Sequence, residues 1–555
     1  MIPLKNENQA LVFERAVSGL PPIMGTVKTN GGRNAGNREE EMQKKWISLL
    51  LAGTMALSLA ACGSSGSSDD TSASASGGTA TESSSPSQDG DYTQITYAFV
   101  TFNTVPDDTS EVEEAINQIT RDKIGVEVHL MPLSISDYQQ QVSLAVQNGE
   151  IDIFHTLGDL NNDIASDMCY DITDIIDKDA PDAKALMEDS WLKTTSKDGR
   201  IYGIPTMKPF ALQPMLIYRK DIAKELNLDM DSVKSVEDLT DIFAKVKEAH
   251  PEMTPLAPVS QGDSGLTRWI QKIDWLGDSF STPTGVLQGD DTTVQSYYDL
   301  KDFEKYANLV RDWYNNGYIM QDAATTTSAA AELMSSGNYF CYSASYSYPL
   351  EDTAAQLSAP SGYDVGAISL GDAYLDTSSI NSVAQVIAST SENPEAALKF
   401  LNLTYSDENV INTMLYGIEG EDYVKNEDGT VSYPEGQDAS TVPYTAQLSC
   451  GVLGNFFIQW PLQGSGSEES LKWEDEQNHN AAASPAMGFR FDTSELQTQY
   501  TAVSNVIKQY LPGLACGSVD PEETLPVFRQ ALKDAGYDDI LKAKQDQLDA
   551  WLAQQ

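Results

Sequence analysis

The sequence predicts a mixed α/β body in which strands and helices alternate, and three observations support this fold class. Hydrophobic side chains follow strand spacing at 94–100 and 126–130, and each stretch precedes a segment with helical spacing. The chain has 555 residues, and its 41% hydrophobic content is enough for a large core. After residue 90, no low-complexity segment divides the chain. The body is therefore expected to consist of lobes that the chain enters and leaves more than once.

The first predicted elements run strand, helix, strand, helix, strand, which is the pattern of parallel βαβ units. The strands are expected at 94–100, 126–130 and 151–154. Apolar residues at helical spacing mark the two helices between them: Val112, Ala115, Ile116 and Ile119 in the first, and Tyr138, Val142 and Ala145 in the second. Later elements are a short strand within 199–205, a strand at 216–219, and helices at 220–226, 236–249, 301–316, 394–403, 496–510 and 521–553.

The charge balance excludes several classes of partner. The chain contains 35 Lys and Arg against 82 Asp and Glu, a formal net charge of −47. Nucleic-acid binding needs stripes of Lys and Arg that release counterions from phosphates, so we expect no nucleic-acid partner. Adhesion to anionic lipid through a basic face is excluded for the same reason. The charge favours a soluble body and makes a neutral ligand more favourable than an acidic one, unless local cations such as Lys208 or Arg268 reverse that preference.

The N-terminal ninety residues are predicted to lie outside this body. Residues 46–61 are uncharged and follow Lys44 and Lys45, as in a signal peptide, and the run is shorter than the ~20 residues that span a bilayer. Leu59-Ala60-Ala61-Cys62 resembles the lipobox of bacterial lipoproteins, which implies acylation of Cys62. A membrane helix followed by an incidental cysteine is the less favoured alternative.

These features divide the N-terminal region into three segments. Residues 1–41 are interpreted as an upstream extension from a misassigned start, with Met42 as the true start. Residues 42–61 form the signal peptide. Residues 62–90 form a lipidated tether, because their Ser, Gly, Thr, Ala and Asp composition cannot bury enough apolar surface to fold.

No motif of a catalytic or metal site is present. The chain contains no Gly-x-x-x-x-Gly-Lys-Ser/Thr loop, no His-Glu-x-x-His and no Gly-x-Ser-x-Gly. The segment 159–163 begins like a calcium loop, but Ile164 occupies the position that requires Gly. We therefore expect no catalytic residues, no metal and no cofactor. Cys169, Cys341, Cys450 and Cys516 could form disulfides in three connectivities or remain buried free thiols, and the sequence leaves both open.

Five segments, in order, resemble the solute-binding lipoproteins of ABC importers that capture oligosaccharides. They are Gly149–Ile153, Asp198–Pro205, Leu216–Asp221, Ser235–Leu239 and Asn393–Leu401. Near the C-terminus, Tyr416–Tyr423, Gly488–Asp492, Ala535–Tyr537 and Gln545–Trp551 resemble the LipO-type subgroup, whose members are usually labelled aldouronate or complex-polysaccharide transport proteins. Glu421 and Asn227 depart from the usual pattern. The resemblance covers residues 91–555.

The resemblance implies a two-lobed, periplasmic-binding-protein type II-like fold with hinge crossovers and a helical C-terminal region. The N-lobe is expected at 91–208 with about 380–415, and the C-lobe at 214–375 with about 420–555. The crossovers are expected near Met207–Gln213, Tyr374–Ser382 and Leu415–Glu421. Ligand would bind between the lobes, at the carboxyl ends of the strands, and would stabilise the closed state by contacting both.

The candidate ligand-binding residues combine aromatic rings with polar groups, because sugars present apolar faces and hydroxyls. They are Phe102, Asn103, Asp159, Met207, Trp269, Trp275, Tyr346, Glu419 and Trp460. Each could instead be structural: the aromatic residues as core, Asn103 in a turn, Asp159 as a helix cap and Glu419 as a solvated side chain.

The function implied is that of a monomeric, non-enzymatic receptor that delivers an oligosaccharide to the transmembrane subunits of an ABC permease. It would be lipid-anchored on the outer face of the cytoplasmic membrane of a Gram-positive cell. A peptide receptor on the same fold is an alternative. A surface glycosidase, which would also need aromatic residues and carboxylates, is a second.

Overall fold

The computed structural model of the chain describes residues 92–102, 105–106, 108–158, 160–259, 265–446 and 451–555. The predicted signal peptide, the tether and Cys62 lie outside the described residues, as do Asn103, Asp159 and Cys450. The start at Met42 and the acylation of Cys62 therefore stay predictions.

The first sheet has five strands in the order β2-β1-β3-β14-β6. Their bounds are β1 Thr93–Thr101, β2 Val126–Ser134, β3 Ile153–Thr156, β6 Ile204–Pro205 and β14 Ala384–Ile387. β1 runs parallel to β2 and β3, whereas β14 runs antiparallel to β3 and β6. The apolar stretch of β1 is buried, as expected for a central strand covered on both faces.

Helices connect and cover this sheet. They are α1 Ser110–Ile124, α2 Tyr138–Asn148, α3 Leu160–Ala165, α4 Ile176–Asp179, α5 Pro181–Ala185 and α6 Asp189–Lys193. α1 packs Val112 and Ile116 on the sheet and ends at Gly125. Gly125 has φ +70°, and its N–H binds the carbonyls of Thr120 and Arg121. This left-handed cap turns the chain directly into β2, as glycine does at many helix ends.

The second sheet has four strands in the order β12-β7-β11-β8. Their bounds are β7 Gln213–Arg219, β8 Thr254–Ala257, β11 Tyr339–Tyr346 and β12 Val365–Ser369. The helices of this region are α7 Lys220–Glu225, α8 Leu239–Ala249, α9 Leu266–Trp269, α10 Lys301–Asn315, α11 Ala330–Ser335 and α12 Leu350–Ser361. β7 is antiparallel to both of its neighbours, and β8 is parallel to β11.

The remaining helices follow in the second half of the chain. They are α13 Thr377–Asn381, α14 Pro394–Ser406, α15 Glu408–Tyr416, α16 Glu468–Asn480, α17 Gln497–Ala515, α18 Pro521–Asp534 and α19 Tyr537–Leu552. Four two-stranded ladders complete the described structure: β4 Ser196–Lys197 with β5 Arg200–Ile201, β9 Ile273–Asp274 with β10 Leu287–Gln288, β13 Tyr374–Leu375 with β17 Ala482–Ala483, and β15 Val424–Lys425 with β16 Val431–Ser432. None of the described helices is both long and apolar enough to cross a membrane.

Two large apolar clusters form the core, one for each sheet. The first gathers side chains of β1, β2 and β3 with those of α14 and α15. The second gathers side chains around α8 and α10 with those of α17, α18 and α19. The helical C-terminal region is thereby packed on the second sheet's side of the molecule.

Most predicted elements are present, with three differences. The helix expected at 521–553 is two helices, because the chain turns at Gly536, which has φ +95°. The strand expected at 216–219 begins three residues earlier, at Gln213. The helices α3 to α6, α9, α11 to α13, α15 and α16 and the strands β8, β12 and β14 were not predicted.

The described parts of the segment 423–462, residues 423–446 and 451–462, pack differently from the expected lobe boundaries, which placed residues from about 420 with the C-lobe. Tyr423, Val431, Tyr444 and Leu453 are buried in the first cluster, and Trp460 packs against it. Their apolar side chains cover α15 and the connection after β6 rather than the second sheet. We propose that this segment belongs to the N-lobe.

The described cysteines are buried. Cys169 and Cys341 are free thiols, and Cys516 is fully buried. Burial raises the pKa of the Cys169 and Cys341 thiols. These three residues therefore behave as small apolar side chains rather than as reactive groups.

Candidate functional site

The connections between the two sheets identify one region as the candidate site. In the first sheet, β1, β2, β3 and β6 end at the same edge, where β14 begins. In the second sheet, β8, β11 and β12 end at the edge where β7 begins. The connections from β6 to β7 and from β12 to β14 join these two edges. Ligands of open α/β proteins bind at the carboxyl ends of strands, so the space between the edges is the candidate site.

The first connection, residues 206–212, is held by hydrogen bonds along its backbone. Met207 donates its N–H to Gly454 O at 2.9 Å and accepts from the Phe456 N–H at 2.8 Å. Asn478 of α16 accepts from the N–H groups of Phe210 and Ala211 at 2.7 and 3.1 Å and donates to Lys208 O at 2.8 Å. A buried amide side chain thus satisfies three backbone groups that no strand pairs.

The second connection, residues 370–383, carries a buried carboxyl contact. β13 pairs with β17, and Ser484, just beyond β17, donates to the Asp274 carboxyl of β9 at 2.5 Å. Burial, together with the nearby Asp376 carboxylate, raises the pKa of Asp274 to about 7. Asp376 also caps α13 by accepting from the Ser379 N–H at 2.7 Å.

We propose that the third connection lies at residues 484–490 rather than near Leu415–Glu421, where the resemblance implied it. Met487 is buried in the first cluster, whereas Phe489 packs with Leu276 and Leu548 near the second sheet. Between them, Gly488 has φ +96°, and a Cβ there would meet Lys193 Cβ at 2.9 Å. Its N–H binds Thr377 Oγ1 at 2.8 Å. We place the connection after the expected position because the chain remains in the first cluster beyond α15.

Helix α16 lies across the region between the two sheets. Its Glu474 is fully buried and accepts a 2.6 Å hydrogen bond from Ser347, which follows β11. Burial raises the pKa of Glu474 to about 8. At the end of the helix, the His479 ring stacks on Trp191 at 4.9 Å, and its Nδ1 lies 2.8 Å from Glu188. α16 therefore contacts both halves of the described molecule.

The structure brings two of the predicted site residues together. Lys425 Nζ lies 3.7 Å from the centroid of the half-buried Trp460 ring and 3.9 Å from the exposed carboxylate of Glu419. The Tyr423 ring centroid is 5.9 Å from that of Trp460. We call these four residues the Trp460 platform.

The Trp460 platform lies near the candidate edge of the first sheet, because Phe456, four residues before Trp460, donates its N–H to the carbonyl of Met207, two residues after β6. Asp422, which precedes Tyr423, accepts from the N–H groups of Ile418 and Tyr444 at 2.8 and 2.9 Å. Burial raises the pKa of Asp422, and the nearby Glu111 at the start of α1 adds to that rise. Since α1 follows β1, this start lies at the carboxyl edge of the sheet. Phe102, directly after β1, is partly buried against the first cluster.

The other predicted residues within the described chain are buried. Met207 packs in the first cluster, and Trp275 packs in the second with its ring 5.3 Å from Tyr297. Trp269 is 1% exposed, and its indole N–H donates to Ser343 Oγ at 3.2 Å. Tyr346, at the end of β11, is buried in a smaller cluster, and this burial raises its pKa to about 12. Trp269 and Trp275 thus lie in the core of the second sheet's side and apart from the Trp460 platform.

Sequence reasoning did not identify Asn478, Glu474 or Lys425. Asn478 and Glu474 lie in a helix of mainly polar residues, where they are indistinguishable from solvated side chains. Among the described residues, no group of three or more His, Cys, Asp or Glu side chains could hold a metal ion. The region offers aromatic surface, hydrogen-bonding groups and hinged connections, which suit the reversible capture of a ligand.

Comparison with known proteins agrees with this geometry. The model of a family described as bacterial extracellular solute-binding protein matches residues 114–418. A second model, described as a domain of unknown function, DUF3502, matches residues 485–553. The second match spans the third connection and the C-terminal helices.

Similar proteins include a carbohydrate ABC transporter substrate-binding protein of Streptococcus pneumoniae, 24% identical over 460 residues, which are 80% of this chain and 89% of that protein. The polygalacturonan/rhamnogalacturonan-binding protein YtcQ of Bacillus subtilis is 26% identical over 323 residues, which are 54% of this chain and 61% of that protein.

Among solved structures, the N-glycan transport solute-binding protein NgtS of Streptococcus pneumoniae matches with a TM-score of 0.70 at 22% identity, over 83% of this chain and 99% of that one. The predicted α/β fold with a helical C-terminal region is therefore confirmed. The family model spans more than half of the chain, and the chain belongs to the bacterial extracellular solute-binding protein family.

Proposed function

We propose that this protein captures an oligosaccharide between its two lobes and delivers it to the transmembrane subunits of an ABC permease. The single observation that carries the proposal is the pair of strand edges joined by hinged connections, with the Trp460 platform at the edge of the first sheet. The carbohydrate-binding and glycan-transport names of the similar proteins support the ligand class.

The Trp460 platform suits a sugar for a physical reason. The exposed part of the Trp460 ring, beside Lys425, can pack against the C–H face of a pyranose ring, and Glu419 and Lys425 offer an acceptor and a donor for its hydroxyls. We propose Trp460, Glu419 and Phe102 as ligand contacts on the first lobe. Tyr346, at the end of β11, is the proposed contact on the second.

We infer that the mature chain is held on the outer face of the membrane through acylated Cys62, as its lipobox-like segment indicates. We further infer that the protein is a monomer. We further propose membership of the LipO-type subgroup, supported by the C-terminal segments quoted above. Replacement of Cys62 by Ala should release the protein into the medium. Immunoblotting of the membrane and medium fractions measures this release.

Incubation of the purified protein with panels of oligosaccharides and peptides tests the function. Capture predicts a ligand-dependent rise in melting temperature with one class of oligosaccharide and no shift with peptides. Chromatography of the same mixtures should recover the oligosaccharide unchanged, because the proposed receptor performs no chemistry. Released sugar would establish a glycosidase instead, and a melting shift with peptides alone would establish a peptide receptor.

A further inference from the structure

The second connection and the proposed third connection are bound to each other. β13 of the second connection pairs with β17, which directly precedes the third. Ser484 donates its N–H to Leu375 O at 2.8 Å, and the Gly488 N–H described above reaches the start of α13. We call residues 374–377 and 482–488 the paired hinge segments. Because they are joined by hydrogen bonds, we expect them to move together when the lobes move.

The paired hinge segments contact both sides of the molecule. Leu375 and Met487 pack in the first cluster, on the side of the first lobe. Toward the second lobe, Ser484 donates from Oγ to Oδ2 of Asp274 at 2.5 Å. Asp274 ends β9, is 1% exposed, and is followed by Trp275, which packs in the second cluster. The hydrogen bond between Asp274 and Ser484 therefore joins the second lobe to the hinge.

A second buried carboxyl group faces Asp274 from the hinge. Asp376 is 5% exposed and accepts from the N–H and the hydroxyl of Ser379 at 2.7 and 2.8 Å, which suits an ionised carboxylate. Two carboxyl groups that share a buried site cannot both ionise without a large cost, so one of them keeps its proton to a higher pH. Asp274 is that group, because burial and then the charge of Asp376 raise its pKa to about 7.

The other titratable groups around Asp274 do not cancel this repulsion. Lys544 of α19 lowers the pKa of Asp274, but its influence is the smallest of those acting there, and its Nζ is bonded to Asp278 at 2.8 Å. Tyr374 donates its hydroxyl to a backbone carbonyl at 3.0 Å, and burial raises its pKa to about 12, so it stays neutral. Asp290, after β10, adds a further negative charge near Tyr374. The local charge balance is therefore negative when Asp274 ionises.

We propose that Asp274, Asp376 and Ser484 form a proton-dependent latch at the hinge. While Asp274 holds a proton it is neutral, and its hydrogen bond with Ser484 keeps the second lobe against the paired hinge segments. When the proton is lost, two buried carboxylates repel each other across this boundary, and exposure of Asp274 to water becomes easier. The freedom of the lobes to move therefore increases from acidic to neutral pH. The latch acts on the lobes themselves, whatever ligand they capture.

Hydrogen exchange of the full mature chain, followed by mass spectrometry, tests the latch without any ligand. Rates in peptides covering 482–488 are corrected for the intrinsic effect of pH and compared with those of β1. Opening returns Asp274 to water and lowers its pKa, so opening becomes easier by up to about 10-fold per pH unit until the pH reaches about 7. We expect protection of 482–488 to fall at least 10-fold between pH 5 and pH 7 and to level off above pH 8. Protection that does not change with pH, or that falls equally in β1, would overturn the latch.

Variants identify the group that titrates. Asp274→Asn keeps a hydrogen-bonding side chain beside Ser484 but cannot ionise, so protection of 482–488 should no longer fall between pH 5 and pH 7. Asp376→Asn keeps an acceptor for the cap of α13 and removes the repulsion, so the fall should become smaller. Asp372→Asn, at an exposed position of the same connection, is the matched control and should show the full fall. An undiminished fall in Asp274→Asn, or in Asp376→Asn should the first variant fail to fold, would overturn the latch.

Discussion

The hydroxyl of Ser347 donates a 2.6 Å hydrogen bond to the carboxyl of Glu474, and both side chains are buried. Ser347 follows β11 of the second sheet, whereas Glu474 lies on α16. One turn further along α16, Asn478 binds the backbone of the first connection. The helix therefore couples the end of β11 to a hinge, and its buried polar residues should affect both stability and lobe motion.

Replacement of Glu474 by Gln should change how stability depends on pH. Burial, aided by the charge of Asp352, raises the pKa of Glu474 from 4.5 to about 8 in the folded chain. The folded state therefore holds this proton more tightly than the unfolded state. The associated stabilisation is complete below pH 4.5 and is lost as the pH rises to about 8, at roughly 1.4 kcal/mol per pKa unit of difference. Urea unfolding between pH 5 and pH 9 measures this.

The glutamine variant should keep the acceptor for Ser347 without the charge. Its stability relative to the wild type should rise with pH by a few kcal/mol, as expected when a buried charge is removed. Glu469→Gln, at an exposed position of the same helix, is the control and should show a flat difference. A flat difference for Glu474→Gln as well would mean that Glu474 stays ionised in the folded chain.

Replacement of Asn478 by Ala should loosen the first connection. The substitution leaves the N–H groups of Phe210 and Ala211 and the carbonyl of Lys208 without their partner. We expect a loss of about 2–4 kcal/mol in the free energy of unfolding, because each buried unpaired group costs about 1–3 kcal/mol. Hydrogen exchange should accelerate at Phe210 and Ala211. Asn480→Ala, exposed on the same helix, should leave both measurements unchanged.

The elements that the sequence predicted are those with strong hydrophobic periodicity. β1, β2, α1 and α2 bury one face or both, and their apolar spacing is visible without tertiary information. α16 was missed because its sequence is almost wholly polar, and Glu474 and Asn478 are buried only through contacts with residues more than 100 positions away. Periodicity carries no information on such contacts.

The candidate site could be predicted only in part, for a related reason. Aromatic side chains serve equally as core and as ligand surface, so composition could not separate Trp269 from Trp460. Trp269 is buried against Trp313, with ring centroids 5.7 Å apart, whereas Trp460 is half-buried beneath Lys425. Our proposed position of the third connection differs from the expected one because residues 423–446 and 451–462 pack on the first cluster through contacts with distant residues.

Replacement of Trp460 by Ala should weaken ligand binding with little effect on folding. The half-buried ring packs only at the margin of the first cluster, so it should contribute more to the free energy of ligand binding than to that of folding. An aromatic contact contributes about 0.5–1.5 kcal/mol in addition to the contribution of the area it buries. We therefore expect up to roughly a 10-fold loss of affinity, measured by calorimetry. Tyr314→Ala, at a partly buried aromatic position of α10, is the control and should bind the ligand with the affinity of the wild type. Equal affinity for Trp460→Ala and the wild type would remove Trp460 from the site.

Replacement of Lys544 by Met should weaken the attachment of α19 to the second lobe. Lys544 is fully buried, and its Nζ donates to Asp278 Oδ2 at 2.8 Å and to Thr284 Oγ1 and Gly285 O at 3.1 Å. Removing one partner of a buried ion pair leaves an uncompensated charge and typically costs about 3–5 kcal/mol. Urea unfolding followed by tryptophan fluorescence should show a loss of this size.

The double variant Asp278→Asn with Lys544→Met separates the pair from its surroundings. It should be more stable than Lys544→Met alone, because no buried charge is left unpaired. Lys542→Met is the control: its exposed pair with Asp546 should contribute at most about 1 kcal/mol. If Lys544→Met were no more destabilising than Lys542→Met, the buried pair would not be what holds α19 to residues 278–285.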